Sequence, residues 1–180
     1  MSEERIKKGI ESIIFVSDRP VTVDELLKVF TGLKRSQLTK ALAELKTEWE
    51  ELGRGFRLEE VSGGYRFRTS AEYREEILRF NQSKPFKLSR AALEVLAIVS
   101  YKQPVTRIEV DRIRGVDSSG VLGMLLDKEL IEVRGREEVP GRPLLYGTTD
   151  KFLEVFSLAS LNDLPEIKEL DELEQSAVEG

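Results

Sequence analysis

The apolar positions of the first eighty residues fall into blocks of changing period. Ile6, Ile10, Ile13 and Ile14 recur at helical spacing, which predicts a helix over 3–17 with one apolar stripe. Asp18-Arg19-Pro20 breaks it, and Thr22 then caps a short helix carrying Leu26, Leu27 and Phe30 that Gly32 ends. A third helix from about Arg35 carries Leu38, Leu42, Leu45, Trp49 and Leu52, and Gly53-Arg54-Gly55 stops it. The period then changes to two. Phe56 and Leu58 alternate with Arg57 and Glu59, and Tyr65 and Phe67 alternate with Arg66 and Arg68. With Gly63-Gly64 between the runs, this is a hairpin. A last helix carries Tyr73, Ile77 and Phe80. Three helices followed by a hairpin is the order of a winged helix-turn-helix.

The order then repeats. Pro20-Val21-Thr22 recurs as Pro104-Val105-Thr106, and each threonine has a glutamate three residues on, Glu25 and Glu109. Thr-x-x-Glu is a capping box. The same 84-residue shift places Ile14 on Ile98, Leu38 on Leu122 and Leu42 on Leu126. Thr69 to Tyr73 matches Thr148 to Phe152 at a shift of 79. Tandem duplication of a module of about eighty residues accounts for all of these matches. In the second copy a helix over Leu88–Tyr101, apolar on most sides, is expected to be deeply buried. Thr106 caps the next helix, Gly115 ends it, and Ser118 caps a third through about Glu129. Ile131 and Val133 form one wing strand and Leu144 to Gly147 the other, joined by the Gly/Pro-rich loop Gly135 to Pro143. The fold class is therefore α+β, mostly α, with two tandem winged-helix domains. The expected divisions are 1–82, a linker over 83–87, 88–161, and an acidic tail over 162–180.

Charge and composition narrow the chemistry. Residues 1–161 hold 27 basic and 26 acidic side chains, whereas residues 162–180 hold 1 and 7, so the net charge of −5 resides in the tail. A neutral body argues against strong electrostatic attraction to nucleic acid. The chain has no cysteine and no histidine, which excludes disulfides, thiolate nucleophiles, histidine triads and zinc sites. No Gly-Lys dipeptide is present, so there is no Walker-type loop. The pairs Glu59-Glu60, Glu75-Glu76 and Glu137-Glu138 point apart on regular elements and read as solvated charge. No cofactor, metal or catalytic residue is expected. With no apolar signal region and no run of about 20 apolar residues, a soluble cytoplasmic protein is expected, without a membrane partner.

Base reading by either third helix is poorly supported. The second-copy helix begins Ser118-Ser119-Gly120, and its one cation, Lys128, lies between Asp127 and Glu129. The first copy offers Lys34, Arg35, Gln37 and Lys40, but Glu44, Glu48, Glu50 and Glu51 follow. Arg134, Arg136 and Arg142 of the second wing face Glu137 and Glu138 nearby, which favours local pairing over phosphate contact.

The stretches YKQPVTR, IRGV and GRPLLYGTT are the strongest marks of a resemblance to the segregation and condensation protein B (ScpB) family. The resemblance is strong from Leu88 to Pro165 and weaker in the first module. It implies a non-enzymatic homodimer that binds the kleisin ScpA, through it the ATPase SMC, and acts at the nucleoid in chromosome condensation and segregation, with DNA contact at most weak and nonspecific. The alternative on the same fold is a DNA-binding transcription regulator, whose affinity would be sequence-specific and steeply salt-dependent. Under the family reading, Gly120 and Gly123 are candidate kleisin-binding positions, because helix-interior glycines admit a close-approaching chain. Close packing within the domain is the other explanation. Arg136 and Arg142 are candidates through their loop. Leu45, Trp49 and Leu52 are candidates for the dimer interface. The wing strands align at a shift of 75 instead of 84, so the first-copy helix has 9 extra residues, and the stripe continues along them. Packing of that stripe on the chain's own wing or last helix is the alternative.

Overall fold

The computed structural model describes residues 2–82 and 87–165. The expected linker, apart from Lys87, and the tail beyond Pro165 lie outside the described residues. The fold is mixed helix and sheet, mostly helical.

The first core is built by α1 (Glu3–Val16), α2 (Val23–Val29) and α3 (Arg35–Glu51) against a hairpin of β1 (Phe56–Val61) and β2 (Gly64–Thr69). Ile10 and Ile14 of α1 meet Leu26, Leu38, Leu42, Leu45 and Leu58 in one buried cluster. The capping box forms in full. Glu25 N–H donates to the Thr22 hydroxyl, and the Glu25 carboxylate accepts from Thr22 N–H at 2.9 Å. The hairpin pairs Phe56 with Thr69 through Val61 with Gly64, so its turn is Ser62-Gly63 and not Gly63-Gly64. Both turn residues have positive φ, 51° and 68°, as a tight hairpin turn requires. Gly64 instead lies where a Cβ would sit 3.0 Å from Pro20 Cβ and the Val21 backbone, because Val21 bridges to Tyr65 beside it. A 3₁₀ turn at Ala71–Tyr73 leads into α4 (Arg74–Phe80), which buries no residue.

The second unit repeats the order with α5 (Arg90–Lys102), β3 (Val105–Thr106), α6 (Arg107–Arg114), α7 (Ser119–Asp127), β4 (Ile131–Arg136), β5 (Leu144–Thr148) and α8 (Asp150–Phe156). The sheet order is β3-β5-β4. Val105 pairs with Tyr146 as Val21 does with Tyr65, and Thr106 and Glu109 form the second capping box. Gly115 ends α6 in the left-handed conformation. Three details depart from the sequence reading. α7 stops at Asp127, so it has 9 residues against 17 in α3. Ser118 stands at the N-cap position, but its hydroxyl accepts from Arg114 and does not cap. The Asp117 carboxylate accepts from Ser119 N–H instead. α5 is buried on one side only, through Ala92, Val95, Leu96 and Val99, whereas Leu93 and Ala97 face outward.

The two units touch through the first hairpin. The turn N–H groups of Ser62 and Gly63 donate to the carbonyls of Leu158 and Ala159 at 2.9 and 2.8 Å. Arg66 pairs with Glu154, and Arg68 donates to Glu154 O and Ser157 Oγ.

Candidate partner-binding surfaces

Two of the strings that carry the family resemblance, YKQPVTR and GRPLLYGTT, meet in space. The Gln103 side chain donates to Thr148 Oγ1 at 3.0 Å, and its amide oxygen accepts from Thr148 N–H at 2.8 Å. A Cβ on Gly147 would lie 2.9 Å from the Arg134 side chain and 3.0 Å from Gln103 Oε1, so glycine is required there. Arg134 occupies a bulge between Val133 and Gly135, which aims its guanidinium at Thr148 O, 2.7 Å away. It also pairs with Glu132 at 3.0 Å. These contacts tie β4 to the end of β5, and β5 to Gln103, just ahead of β3.

Beside these contacts, α6 and α7 follow one another across the turn at residues 115–118. Asp111 Oδ1 accepts from Ser118 N–H at 2.7 Å and sets the turn. Two carboxyls here lie below their usual range. The Glu109 carboxyl is held down first by the Thr106 backbone N–H, and Asp117 first by the Ser119 hydroxyl. Leu122 and Leu125 face the core. Gly120 and Gly123 lie on the outer side, and a Cβ at either would meet nothing within 4 Å. Close packing within the domain therefore does not account for them. α7 itself contains no basic residue. Along the same segment Ile108, Ile113 and Val116 are each more than half exposed. The outer side of α7 thus carries no cation, and exposed apolar side chains lie along the preceding segment.

The loop after β4 is ordered largely by backbone contacts. Arg136 Nη1 donates to Arg142 O at 3.1 Å, Arg142 N–H to Val139 O at 2.9 Å, and Glu137 N–H to Pro143 O at 2.9 Å. Arg142 has φ of 40°, a left-handed conformation that the loop imposes on it.

In the first unit the structure separates the three stripe residues. Leu45 is buried in its own core. Trp49 stacks against Phe56 and Phe67 of its own hairpin, with ring centroids 5.0 and 4.9 Å apart, and its Nε1–H donates to Glu11 at 2.7 Å. The extra turns of α3 thus back the hairpin, as the own-wing alternative has it for Trp49. Leu52 caps the helix and is 56% exposed. Phe15 and Val16, at the end of α1, are the most exposed apolar pair of this unit, which α1's stripe alone did not indicate. The outward face of α5 was missed too, because a nearly continuous apolar run hides which side is covered.

Comparison with known proteins identifies the family. The crystal structure of ScpB from Mycobacterium tuberculosis is 33% identical to this chain, covers 88% of it and 98% of that chain, and superposes with a TM-score of 0.42. Segregation and condensation protein B of Syntrophotalea carbinolica is 48% identical over 173 residues, 96% of this chain and 87% of that protein. The Moorella thermoacetica protein of the same description is 39% identical over 177 residues, 98% of this chain and 90% of that protein. The family model for segregation and condensation complex subunit ScpB matches residues 8–167. By that match and by identity over nearly the full length of both relatives, the chain belongs to the ScpB family of segregation and condensation complex subunits.

Proposed function

We propose that this chain is a non-enzymatic, homodimeric scaffold of two tandem winged-helix domains, spanning 1–82 and 88–161, that binds the kleisin ScpA and through it SMC. In that role it acts in the cytoplasm, at the nucleoid, in chromosome condensation and segregation. The observation that carries the reading is the outer side of α7. A helix that reads bases presents Arg, Lys, Asn or Gln from its first turns. Here the corresponding positions are Ser119, Gly120 and Gly123, with open space over both glycines and exposed Ile108, Ile113 and Val116 on the same segment. Such a surface suits close approach of an apolar protein segment, which gains burial of about 25 cal/mol per Å² without desolvating charge. Arg136 and Arg142 contribute by shaping the neighbouring loop.

Dimerisation through the first domain is the second part of the proposal. Of the α3 stripe, Leu52 has surface to offer, and Phe15 and Val16 add to it. The test is affinity purification of the tagged chain from its native host with mass spectrometry, alongside gel shifts over a salt series. Stoichiometric recovery of ScpA with weak, sequence-independent DNA retention supports the scaffold. Sequence-specific retention that falls steeply with salt, without ScpA, overturns it.

A further inference from the structure

We propose that the tip of the first hairpin is a receptor for the phosphate backbone of nucleic acid, held shut by residues 154–159 of this same chain. The donors all lie on the hairpin. Alternate residues of a strand share a face, so Arg57 and Glu59 of β1 stand with their register partners Arg68 and Arg66 of β2. Three arginines thus meet one glutamate. Glu59 lies 2.6 Å from Arg57 and 3.6 Å from Arg68, which offsets the repulsion of those two across the strands. Arg66 is left to find its anion elsewhere. At the tip the N–H groups of Ser62 and Gly63 both point out of the hairpin, and neighbouring outward N–H groups suit an anion.

Oxygens of the second unit fill this receptor. Arg66 pairs with the Glu154 carboxylate. Arg68 donates to Glu154 O at 2.9 Å and to Ser157 Oγ at 2.8 Å. The turn N–H groups donate to Leu158 O and Ala159 O. The Glu154 carbonyl belongs to the last turn of α8, the negative end of a helix dipole. A carboxylate, a hydroxyl and three carbonyls therefore stand where phosphodiester oxygens would, with the same sign of charge and the same acceptor chemistry. The fit is incomplete. Three buried side-chain atoms lack a hydrogen-bond partner among the described residues, and two of them are Glu59 Oε2 and Arg66 Nε. Opening the contact returns both to water or to a ligand. The two core clusters share no residue, so the contact can part without either core unfolding. Phosphate and residues 154–159 compete for the same donors. The tethered oxygens hold the advantage of effective concentration, so the unaltered chain binds weakly. It also binds without base preference, since phosphate contacts carry no sequence.

Glu154→Ala withdraws the carboxylate and leaves every donor in place. By fluorescence anisotropy, a short duplex of arbitrary sequence should bind this variant at least tenfold more tightly than the unaltered chain. Adding Arg66→Ala and Arg68→Ala should abolish the gain, and the log–log salt dependence should flatten by about 2. Glu51→Ala removes the same charge from an exposed position at the end of α3 and should leave affinity unchanged. Amide exchange reads the contact directly. Ser62 and Gly63 should exchange at least tenfold faster in Glu154→Ala, while Val21 and Tyr65, bonded to each other within the first unit, keep their rates. Glu154→Gln, which keeps the side chain's size, should show the same changes to a smaller degree. Faster exchange without tighter duplex binding overturns the receptor, and unchanged exchange overturns the closure by residues 154–159. An equal gain in Glu51→Ala reduces the effect to net charge and overturns the proposal. Equal capture of Glu154→Ala by phosphatidylglycerol vesicles overturns the assignment to nucleic acid.

Discussion

Gly120→Gln separates binding from folding most sharply. Gly120 sits in the first turn of α7 with nothing within 4 Å of the position its Cβ would take. The substitution therefore meets no steric cost. Glycine is about 1 kcal/mol worse than alanine within a helix, and glutamine lies close to alanine, so the helix gains about 0.5 kcal/mol. For a chain of this size, 1 kcal/mol corresponds to roughly 2–4 °C in Tm, so the midpoint should rise by about 1–2 °C. Binding responds in the opposite direction. A glutamine side chain standing in a packed contact costs about 1–3 kcal/mol, as overpacking does in cores. At 1.4 kcal/mol per tenfold, that is a loss of roughly 5- to 150-fold in ScpA affinity. Calorimetric titration of the purified chain with ScpA, with thermal melts of both forms, measures the two effects. A midpoint lowered by several degrees would mean that Gly120 is packed, and the geometric argument fails. An unchanged affinity with the expected midpoint would move the partner surface away from α7.

Other substitutions test the remaining parts. Trp49→Ala removes contacts with Phe56 and Phe67 and strands the Glu11 carboxylate, so urea denaturation should show a loss of about 2–4 kcal/mol. Leu52→Asp touches an exposed side chain, so light scattering should find a folded monomer. An undisturbed dimer would place the contact elsewhere, with Phe15 and Val16 the next to change. The Glu25 carboxyl is pulled from 4.5 to about 2, first by the Arg19 guanidinium and then by the Thr22 N–H and hydroxyl. Its folded value is depressed, so its contribution is present above about pH 4.5 and is lost as pH falls through about 2. Glu25→Gln should remove that part of the acid dependence in melts between these limits, and identical acid profiles would refute it.

What was legible in the sequence was local. Thr22-x-x-Glu25 and Thr106-x-x-Glu109 specify helix starts within four residues, and both boxes form. The alternation around Phe56 and Tyr65 specifies two strands, and both pair. What was not legible depends on atoms far along the chain. Gly63-Gly64 reads as a turn, yet Gly64 is needed because Pro20 and Val21 lie against it, more than forty residues earlier. The matched blocks Thr69–Tyr73 and Thr148–Phe152 look alike. Thr149 caps α8 and Phe152 is buried, while Tyr73 ends a 3₁₀ turn and is partly exposed, because no equivalent core faces it. Of the candidate site, the glycines were visible as anomalies, but their openness depends on α7's orientation, which no local pattern specifies.

The two hairpins that the sequence reading takes as wings, alike in order, are used differently, and this bears on the choice between scaffold and DNA reader. A wing that contacts phosphates needs guanidinium groups turned outward with hydrogen-bonding capacity to spare. In the first hairpin Arg57 pairs with Glu59 at 2.6 Å, while Arg66 and Arg68 reach Glu154 in the second unit. The turn itself donates to Leu158 and Ala159. That wing is a joint between units. In the second wing Arg134 is drawn back to Glu132 and Thr148 O, and Arg136 to Arg142 O. Arg134 and Arg136, read from the sequence as locally engaged, are indeed held within the chain, with backbone carbonyls among their acceptors. Releasing the arginines of either hairpin to bind phosphate would dismantle these contacts, and a neutral body supplies little long-range attraction to offset that cost. α7, which carries no basic residue and ends in Asp127, has nothing to offer a phosphate, which favours a protein partner over nucleic acid.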